Sequence, residues 1–380
     1  MRMSLENTLL KIVTILSDGL FHSGEEIAKK LGVSRQAVNQ VISKIELWGL
    51  TLFSVKGKGY RLSQPVQLYC QKTFQTNGFL LMGSNDSSEV ISNFLSERLQ
   101  KNTRVDGVPS LVRTPITVHE KSFLFKHNRA IFLLPITDST NQFFLNHAAK
   151  LIPGDVCIAE YQFAARGRRG RRYYAPFGSN LYFTFYWKFS RVDLFFSSLS
   201  LLIGILTVRV LQEFGVNNLK LKWPNDIYLN QKKLGGILIE TKILKQEMSV
   251  IIGIGLNLDM NEADPQIVTQ DWISLIQEGY KIDKNKLVMA MQQKLWDFFK
   301  QIDSSMIKKL LNEWMYYDLF DIDTEVNLSL NDKLVSGLYK GIDKEGRLLL
   351  HPSFTNSRKS GDNLICVSAG DISLRKKESF

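Results

Sequence analysis

The 380-residue chain has little cysteine and no long apolar run. Its three cysteines, Cys70, Cys157 and Cys366, lie far apart, so their spacing predicts neither a disulfide framework nor a metal site. The longest apolar stretch, Leu194 to Val208, is interrupted by serine and is shorter than the roughly 20 residues that span a bilayer. We expect it to be a buried helix. The first ten residues lack the apolar core of a secretion signal, so we expect a cytoplasmic protein without membrane contacts.

Acidic residues are also scarce relative to basic ones. Lysine and arginine number 48 against 37 aspartates and glutamates, a formal net charge of +11. This balance favours a polyanionic partner such as nucleic acid or a phosphate compound, although a basic but inert surface stays an alternative. A hydrophobic content of 44% is ordinary for a globular protein. The length predicts two to four domains.

The first sixty residues predict a helix-turn-helix motif. Apolar residues at helical spacing precede Gly19, which indicates the end of a first helix. Ser23 and Glu26 form a capping box that opens a second helix. Gly32 then makes the turn, and Ser34 caps a third helix. Two short helices joined by a tight glycine turn are typical of this motif.

Polar side chains on the third helix and on a following hairpin indicate a DNA-binding surface. We expect Phe53 to Leu62 to form a hairpin, with lysines at its tip where a wing would contact phosphate. The expected DNA contacts are Arg35, Gln36, Asn39, Gln40 and Lys44 on the helix, and Lys56 and Lys58 on the wing. A solvated polar face is the alternative. The hairpin favours a winged helix-turn-helix that binds DNA.

Two predicted strands further along end in polar or cationic segments. Ile131 to Ile136 is an apolar strand, and hydroxyl and amide side chains follow it, where α/β proteins bind small ligands. Cys157 to Tyr161 is a second strand, and five arginines and two glycines lie between residues 166 and 172 just after it. Because like charges repel, this loop is expected to order on a phosphate or an adenylate. A nucleic-acid patch and a solvated charge run stay open.

A lysine and four glycines complete the pattern. Lys222 stands at a predicted strand end, where its charge would stabilise a carboxylate and a phosphate during bond formation. The next residues form a Trp-Pro-Asn-Asp turn, and its Asn225 and Asp226 would either hold Mg²⁺ or shape the turn. Two later strands contain Gly235-Gly236 and Gly253-Ile254-Gly255, which allow a ligand to approach the backbone.

Taken together, these segments resemble the biotin–protein ligase family, in its bifunctional biotin-operon-repressor form. The resemblance covers residues 1–75 and 131–375. The arginine-glycine loop combined with the Lys-Trp-Pro-Asn-Asp turn is its most specific part. The motifs that carry it are Ser139-Thr140-Asn141, Gln162 with Arg166-Gly167-Arg168-Arg169-Gly170, Lys222-Trp223-Pro224-Asn225-Asp226, Gly235-Gly236-Ile237-Leu238, Gly253-Ile254-Gly255-Leu256-Asn257 and, near the end, Gly370-Asp371-Ile372-Ser373-Leu374-Arg375.

The resemblance implies a role for each of these positions. The implied catalytic residues are Lys222, Arg166 and Arg168. Biotin would contact Ser139, Thr140, Asn141, Gln162, Arg166, Gly167, Arg168 and Lys222. ATP and the adenylate would contact Arg168, Arg169, Gly170, Arg171, Asn225, Asp226, Gly253, Gly255 and Asn257. No resident metal site is implied.

The implied fold is a multidomain α+β protein. It comprises a winged helix-turn-helix at residues 1–64, a linker and insertion at 65–130, a central mixed-sheet ligase domain of the class II synthetase type at 131–320, and an SH3-like barrel at 321–380. The chain departs from the family pattern in two places. Ala165 replaces a usual glycine at the start of the arginine loop, which would alter loop closure. Residues 76–128 form an insertion of unassigned role.

The implied activity joins biotin to ATP, accompanied by Mg²⁺, and then passes biotin to a lysine. The acceptor would be the biotin carboxyl carrier protein of acetyl-CoA carboxylase. Operator DNA would be a second partner, and the adenylate-bound protein is expected to be a homodimer. A lipoate or octanoate ligase and a non-catalytic ligand-sensing repressor are the alternatives.

Overall fold

A computed structural model describes residues 5–77, 79–83, 129–189, 198–244, 247–330, 333–353, 364–368 and 372–376. Most of the predicted insertion at 76–128 lies outside these ranges. The described residues form three β-sheets of two, eight and five strands.

The head contains the predicted three helices and wing. Side-chain caps define the starts of its second and third helices, since the Ser23 hydroxyl accepts the N–H of Glu26 at 3.0 Å and the Ser34 hydroxyl accepts the N–H of Ala37 at 3.1 Å. The elements are α1 (Leu5–Leu16), α2 (Gly24–Leu31), α3 (Arg35–Ile42), a short 3₁₀ helix (Ile45–Trp48) and the hairpin β1 (Leu52–Val55) and β2 (Gly59–Leu62). The helix-turn-helix prediction is confirmed.

One detail of the head prediction is wrong. Lys44 was expected on the outer face of the third helix, but α3 ends at Ile42. The N–H of Lys44 bonds to the carbonyl of Val41 at 3.0 Å, an i to i+3 bond that tightens the chain into the following 3₁₀ helix. Lys44 is therefore only half-exposed, between two helices.

The central sheet is mixed, in the order β3-β4-β5-β6-β10-β9-β8-β7. Strands β3, β4 and β5 are parallel to one another, and the other pairs are antiparallel. The strands are β3 (Leu80–Gly83), β4 (Ala130–Thr137), β5 (Val156–Gln162), β6 (Asn180–Phe189), β7 (Leu219–Lys222), β8 (Asp226–Leu229), β9 (Lys232–Leu244) and β10 (Glu247–Asn257). Strand β3 comes from the region predicted as linker and insertion, and it is the outermost of the described strands on that side of the sheet.

Among the described residues, five α-helices belong to this unit: α4 (Gln71–Thr76), α5 (Thr140–His147), α6 (Leu199–Glu213), α7 (Lys284–Gln301) and α8 (Ser304–Tyr317). Helix α6 is the buried helix that the long apolar stretch predicts, although its described part begins at Leu199 and extends beyond Val208. No helix in the part of the chain that the structure describes is long and apolar enough to cross a membrane.

The C-terminal strands form a separate antiparallel sheet. Its members are β11 (Glu325–Leu330), β12 (Lys333–Ile342), β13 (Leu348–Pro352), β14 (Ile365–Val367) and β15 (Ile372–Lys376). Their order is β14-β13-β12-β11-β15, and among the described strands no pairing joins β14 to β15. The described sheet is therefore open, and a closed barrel stays a prediction. The motif residues Gly370 and Asp371 lie outside the described residues.

The head contacts the central unit through stacked aromatic rings. Trp48 stacks on Phe177, with ring centroids 5.1 Å apart, and on Tyr161 at 5.6 Å. The N–H of Phe177 donates to the carbonyl of Trp48 at 2.8 Å, and the Tyr161 hydroxyl donates to the carbonyl of Leu47 at 3.1 Å. Apolar burial and hydrogen bonds thus join the head to β5, which leads into the arginine loop, and to the segment around Phe177 that follows the loop.

Candidate functional site

The polar segment predicted to follow the strand Ile131 to Ile136 lies at the start of α5, at the ends of β4 and β5. We call this region, which contains Thr140, Asn141 and Gln162, the strand mouth. The N–H and the hydroxyl of Thr140 both donate to Oε1 of Gln162, at 2.8 and 3.1 Å. Gln162 is the last residue of the neighbouring parallel strand β5. Because β4 and β5 are parallel, their ends lie side by side and bring together Thr140 and Gln162, which are distant in sequence.

Asn141 is buried beside this pair, with 3% of its surface exposed. Its Oδ1 lies 2.7 Å from the Thr184 hydroxyl on β6. A β-carbon at Gly253 would lie only 2.4 Å from the same oxygen. Glycine at position 253 therefore leaves the space that the Asn141 amide occupies, which is the close approach expected from the glycine strands.

The arginine loop is folded back as a small hairpin. Arg166 and Arg172 form an antiparallel bridge, and the N–H of Gly167 donates to the carbonyl of Arg171 at 2.8 Å. At the tip, Arg169 and Gly170 have left-handed φ values of 60° and 66°. Glycine adopts this conformation readily, which explains its use at the second of the two positions.

Two arginines connect the loop to other parts of the central sheet. The Arg166 guanidinium lies 3.2 Å from Oε1 of Glu240 on β9. The Arg168 guanidinium donates to Oδ1 of Asn225 at 3.0 Å, and the Asn225 amide donates to the carbonyl of Ile237 at 2.8 Å. The loop thereby joins β9 to the turn between β7 and β8.

Ala165 fits the start of the loop without backbone strain. It is not among the residues with positive φ, and it is 5% exposed. It packs with Ala159, Ala175 and Tyr182, while its carbonyl accepts the N–H of Tyr173 at 3.0 Å. The described conformation therefore does not require glycine at this position.

Lys222 ends strand β7, as the sequence predicts. Its ammonium lies 3.4 Å from the Tyr228 hydroxyl, and it faces the rings of Tyr228 at 5.6 Å and Phe320 at 6.0 Å. The carbonyl of Lys222 accepts the N–H of Asn225 at 3.1 Å. Asn225 therefore contacts both the backbone of Lys222 and the guanidinium of Arg168.

Asp226 forms an ion pair with Lys233 at the start of strand β8. Its Oδ1 lies 2.8 Å from the ammonium of Lys233, and a β-carbon at Gly236 would approach the same atom to 3.2 Å. Among the described residues, no group of three or more histidine, cysteine, aspartate or glutamate side chains is arranged to hold a metal ion. Asn225 and Asp226 therefore both make contacts that shape the turn, and a role in holding Mg²⁺ stays a prediction.

The second glycine of β10 lies against the end of the arginine loop. A β-carbon at Gly255 would be 2.7 Å from the Tyr173 hydroxyl. Burial raises the pKa of the Tyr173 phenol. Asn257, two residues further along, is 7% exposed and donates to the carbonyl of Ile273 at 3.0 Å. Its amide group therefore holds a neighbouring segment in place.

Most of the predicted DNA contacts are exposed. Arg35, Gln36, Asn39 and Gln40 lie on the solvent side of α3, and Lys56 and Lys58 lie in the turn of the wing. Asn39 accepts a hydrogen bond from the Tyr60 hydroxyl at 3.0 Å, which ties the helix to the wing. The head thus presents a polar helix and a cationic wing tip on a connected surface.

Three residues at the site were not identified from the sequence: Thr184, Glu240 and Tyr173. Thr184 and Glu240 both contact Asn141. A polar residue in an otherwise apolar strand is the signal that could have indicated Thr184, which is fully buried. Glu240 follows the Gly235-Gly236 motif on the same strand, but nothing in its spacing indicates a partner.

The matching family models coincide with the two units described above. Residues 133–257 match the biotin/lipoate A/B protein ligase family, and residues 8–61 match a helix-turn-helix domain. The biotin protein ligase of Aquifex aeolicus, whose structure contains biotin and ATP, superimposes with a TM-score of 0.54 over 65% of this chain and 99% of that one, at 24% identity. The central unit therefore has the ligase fold, and it is joined to a winged head.

Similarity to whole proteins extends over both units. The bifunctional ligase/repressor BirA of Escherichia coli is 34% identical over 376 residues, which cover 98% of this chain and 99% of that protein. The corresponding protein of Bacillus subtilis is 28% identical and covers 92% and 95%, respectively. The chain belongs to the bifunctional ligase/repressor family.

Proposed function

We propose that the protein is an ATP-dependent biotin–protein ligase that also acts as a DNA-binding repressor. The observation that carries the ligase proposal is that the arginine loop and the end of strand β7 contact the same residue: the Arg168 guanidinium donates to the Asn225 side chain, and the Asn225 N–H bonds to the backbone carbonyl of Lys222. Family membership supports biotin and ATP as the substrates. Mg²⁺ would enter with ATP, bound by its phosphates.

In the first half-reaction, the biotin carboxylate attacks the α-phosphate of ATP, and pyrophosphate leaves. Asn141 and Thr140 offer a buried amide and a buried hydroxyl that would hold the ureido ring, with the half-buried Gln162 and the buried Ser139 beside them. Lys222 would neutralise the carboxylate and phosphate oxygens as they approach. Positioning and charge stabilisation account for this chemistry, because phosphoryl transfer needs little else from the protein.

In the second half-reaction, an acceptor lysine attacks the acyl carbon of biotinyl-adenylate, and AMP leaves. The remaining loop residues Gly167, Arg169, Gly170 and Arg171 would cover the adenylate, while Gly253, Gly255 and Asn257 would line its other side. The acceptor would be a biotin carboxyl carrier protein. A covered anhydride is protected from water until the acceptor arrives.

The repressor part of the proposal depends on the head. Arg35, Gln36, Asn39 and Gln40 would face the major groove, and Lys56 and Lys58 would contact phosphate. Lys44 is retained only as a phosphate contact at the end of the helix, because it lies outside α3. A homodimer in the adenylate-bound form would present two heads to a two-fold operator.

The four predicted domains, at residues 1–64, 65–130, 131–320 and 321–380, belong to the same proposal. The C-terminal unit would close into an SH3-like barrel. Trp223 supports a close association of this unit with the ligase site, because its indole N–H donates to the carbonyl of Gly346 at 3.2 Å.

Isotope exchange between pyrophosphate and ATP tests the enzymatic proposal. The purified protein should exchange label only when biotin is added. Exchange supported by lipoate or octanoate instead would indicate the alternative acyl ligase, and the absence of exchange with any acid, together with retained DNA binding, would indicate a ligand-sensing repressor. For the repressor, footprinting should find a protected site when biotin and MgATP are present.

A further inference from the structure

Arg166 and Asn141 share a single carboxylate, that of Glu240. Its Oε1 lies 3.2 Å from the Arg166 guanidinium, and its Oε2 accepts the Asn141 amide N–H at 2.9 Å. The side chain of Glu240 is 24% exposed, whereas Asn141 is buried. One acidic group thus connects the cationic loop to the polar floor of the proposed biotin site.

The strand register places Glu240 on the face that Asn141 covers. Leu238 pairs with Gly253 across β9 and β10, and Glu240 is two residues further along the same strand. Because side chains alternate along a strand, Glu240 and Leu238 lie on one face. The Asn141 amide nitrogen faces the Glu240 carboxylate and the carbonyl of Leu238, while its oxygen faces the Thr184 hydroxyl. These partners fix the orientation of the amide.

Arg166 begins a loop that carries five arginines between residues 166 and 172. Mutual repulsion opposes the folded hairpin of such a loop, so a neighbouring anion stabilises it. Arg168 is joined to the neutral amide of Asn225, whereas Arg166 is joined to a carboxylate. Glu240 therefore supplies negative charge to the loop at the position where the hairpin leaves the sheet.

We propose that Glu240 is a positioning residue that anchors the arginine loop over the substrate site before substrate binds. This inference rests on the proposed ligase function for its purpose, whereas the contact between Glu240 and Arg166 can be tested without substrate. When the adenylate forms, its phosphate supplies the loop with a second anion, and the contribution of Glu240 to loop closure becomes smaller.

Limited trypsin digestion of the full-length, ligand-free protein tests the anchor, with cleavage followed by mass spectrometry at Arg168 to Arg172. Glu240→Gln keeps an oxygen that accepts from Asn141 but removes the charge that attracts Arg166. We expect it to raise loop cleavage about two- to fivefold, the range that a partly exposed ion pair provides. Arg166→Gln should raise it equally, and the double variant should exceed neither single variant, because both changes break the same contact.

Glu247→Gln is the matched control, because Glu247 pairs with Lys188 on the same sheet away from the loop. It should leave loop cleavage at the wild-type rate. Biotin with MgATP should lower cleavage of wild-type protein and Glu240→Gln to the same level. Loop cleavage at the wild-type rate in ligand-free Glu240→Gln would overturn the anchor. The same holds if the increases in cleavage caused by the two single changes are fully additive in the double variant. If the anchor is confirmed but biotin with MgATP neither protects the loop nor supports pyrophosphate exchange, the ligase proposal fails alone.

Discussion

The ammonium of Lys284 lies 2.6 Å from Oε2 of Glu160, and both side chains are almost fully buried. Lys284 begins α7, and Glu160 lies on β5 two residues before Gln162. Oε1 of Glu160 accepts the N–H of Tyr69 at 2.5 Å, and the Tyr69 ring lies 4.2 Å from the lysine ammonium. This pair thus fixes the segment between head and core against the strand that leads to the site.

Removing one partner of this pair should be costly, because the other charge stays buried. We expect Lys284→Met to lower the free energy of unfolding by about 3–5 kcal/mol, whereas the double variant with Glu160→Gln should recover part of the loss. Urea denaturation measures both. A Lys284→Met protein within about 1 kcal/mol of wild type would contradict the buried-pair account.

Gly253→Ala should weaken biotin binding through Asn141. The added β-carbon would lie 2.4 Å from Oδ1 of Asn141, so the amide must move away from its partners. We expect an increase of about tenfold in the biotin dissociation constant, since one displaced hydrogen-bonding group costs on the order of 1–2 kcal/mol. Calorimetric titration measures this dissociation constant, and the effect of Gly253→Ala is compared with that of Asn141→Ala, which removes the amide. Unchanged affinity would mean that Asn141 does not contact biotin.

Asp318 should make stability depend on pH. Burial raises the pKa of this carboxyl to about 6, although the Tyr339 hydroxyl, the Phe320 N–H and the Trp314 indole bond to it. Since this pKa exceeds the ordinary value of 3.8, the folded state binds the proton more tightly, and the free energy of unfolding should fall as pH rises from about 4 to 6. The fall should be on the order of 2–3 kcal/mol.

Denaturation of wild type and Asp318→Asn between pH 4 and 7 isolates this contribution. The difference in unfolding free energy between the two proteins should change across that interval and be constant above it. A difference independent of pH would show that the carboxyl titrates with its ordinary pKa. Asp343 is a useful comparison: burial raises the pKa of this carboxyl, but hydrogen bonds from Arg347 and the Glu345 N–H, together with the Arg347 charge, lower it overall.

A lysine at the wing tip should contribute to DNA affinity by contacting a backbone phosphate of the DNA. Lys58→Ala should weaken operator binding and reduce the slope of log affinity against log salt by about one, because one fewer counterion is released. Lys308→Ala, which changes an exposed lysine on α8, is the control. An unchanged salt slope in Lys58→Ala would remove the wing from the DNA-binding surface.

Features that depend on residues close in sequence could be predicted. The capped starts of α2 and α3 follow from Ser23 and Ser34, whose partners are three residues away. Lys222 at a strand end also follows from a local pattern. Hydrophobic periodicity and turn chemistry act over such distances, so sequence reasoning was adequate for them.

Features that depend on strand register could not be predicted. Glu240 joins Arg166 and Asn141, which are 74 and 99 residues away in sequence. Only the pairing of β9 with β10 brings it to the site. The end of α3 before Lys44 was not predicted. The apolar pattern continues into the 3₁₀ helix, because Ile45 and Trp48 are also buried there. Periodicity does not distinguish these two helix types at a boundary.

The central claim is that Lys222 stabilises formation of the mixed anhydride, and single-turnover synthesis of biotinyl-adenylate measures this directly. Lys220 lies on the same strand two residues earlier, and its ammonium donates to the carbonyl of Tyr316, so Lys220→Ala is the matched control. We predict that Lys222→Ala slows synthesis about 10²–10³-fold with an unchanged melting temperature, while Lys220→Ala retains the wild-type rate. Adenylate formation at the wild-type rate by folded Lys222→Ala would contradict the account.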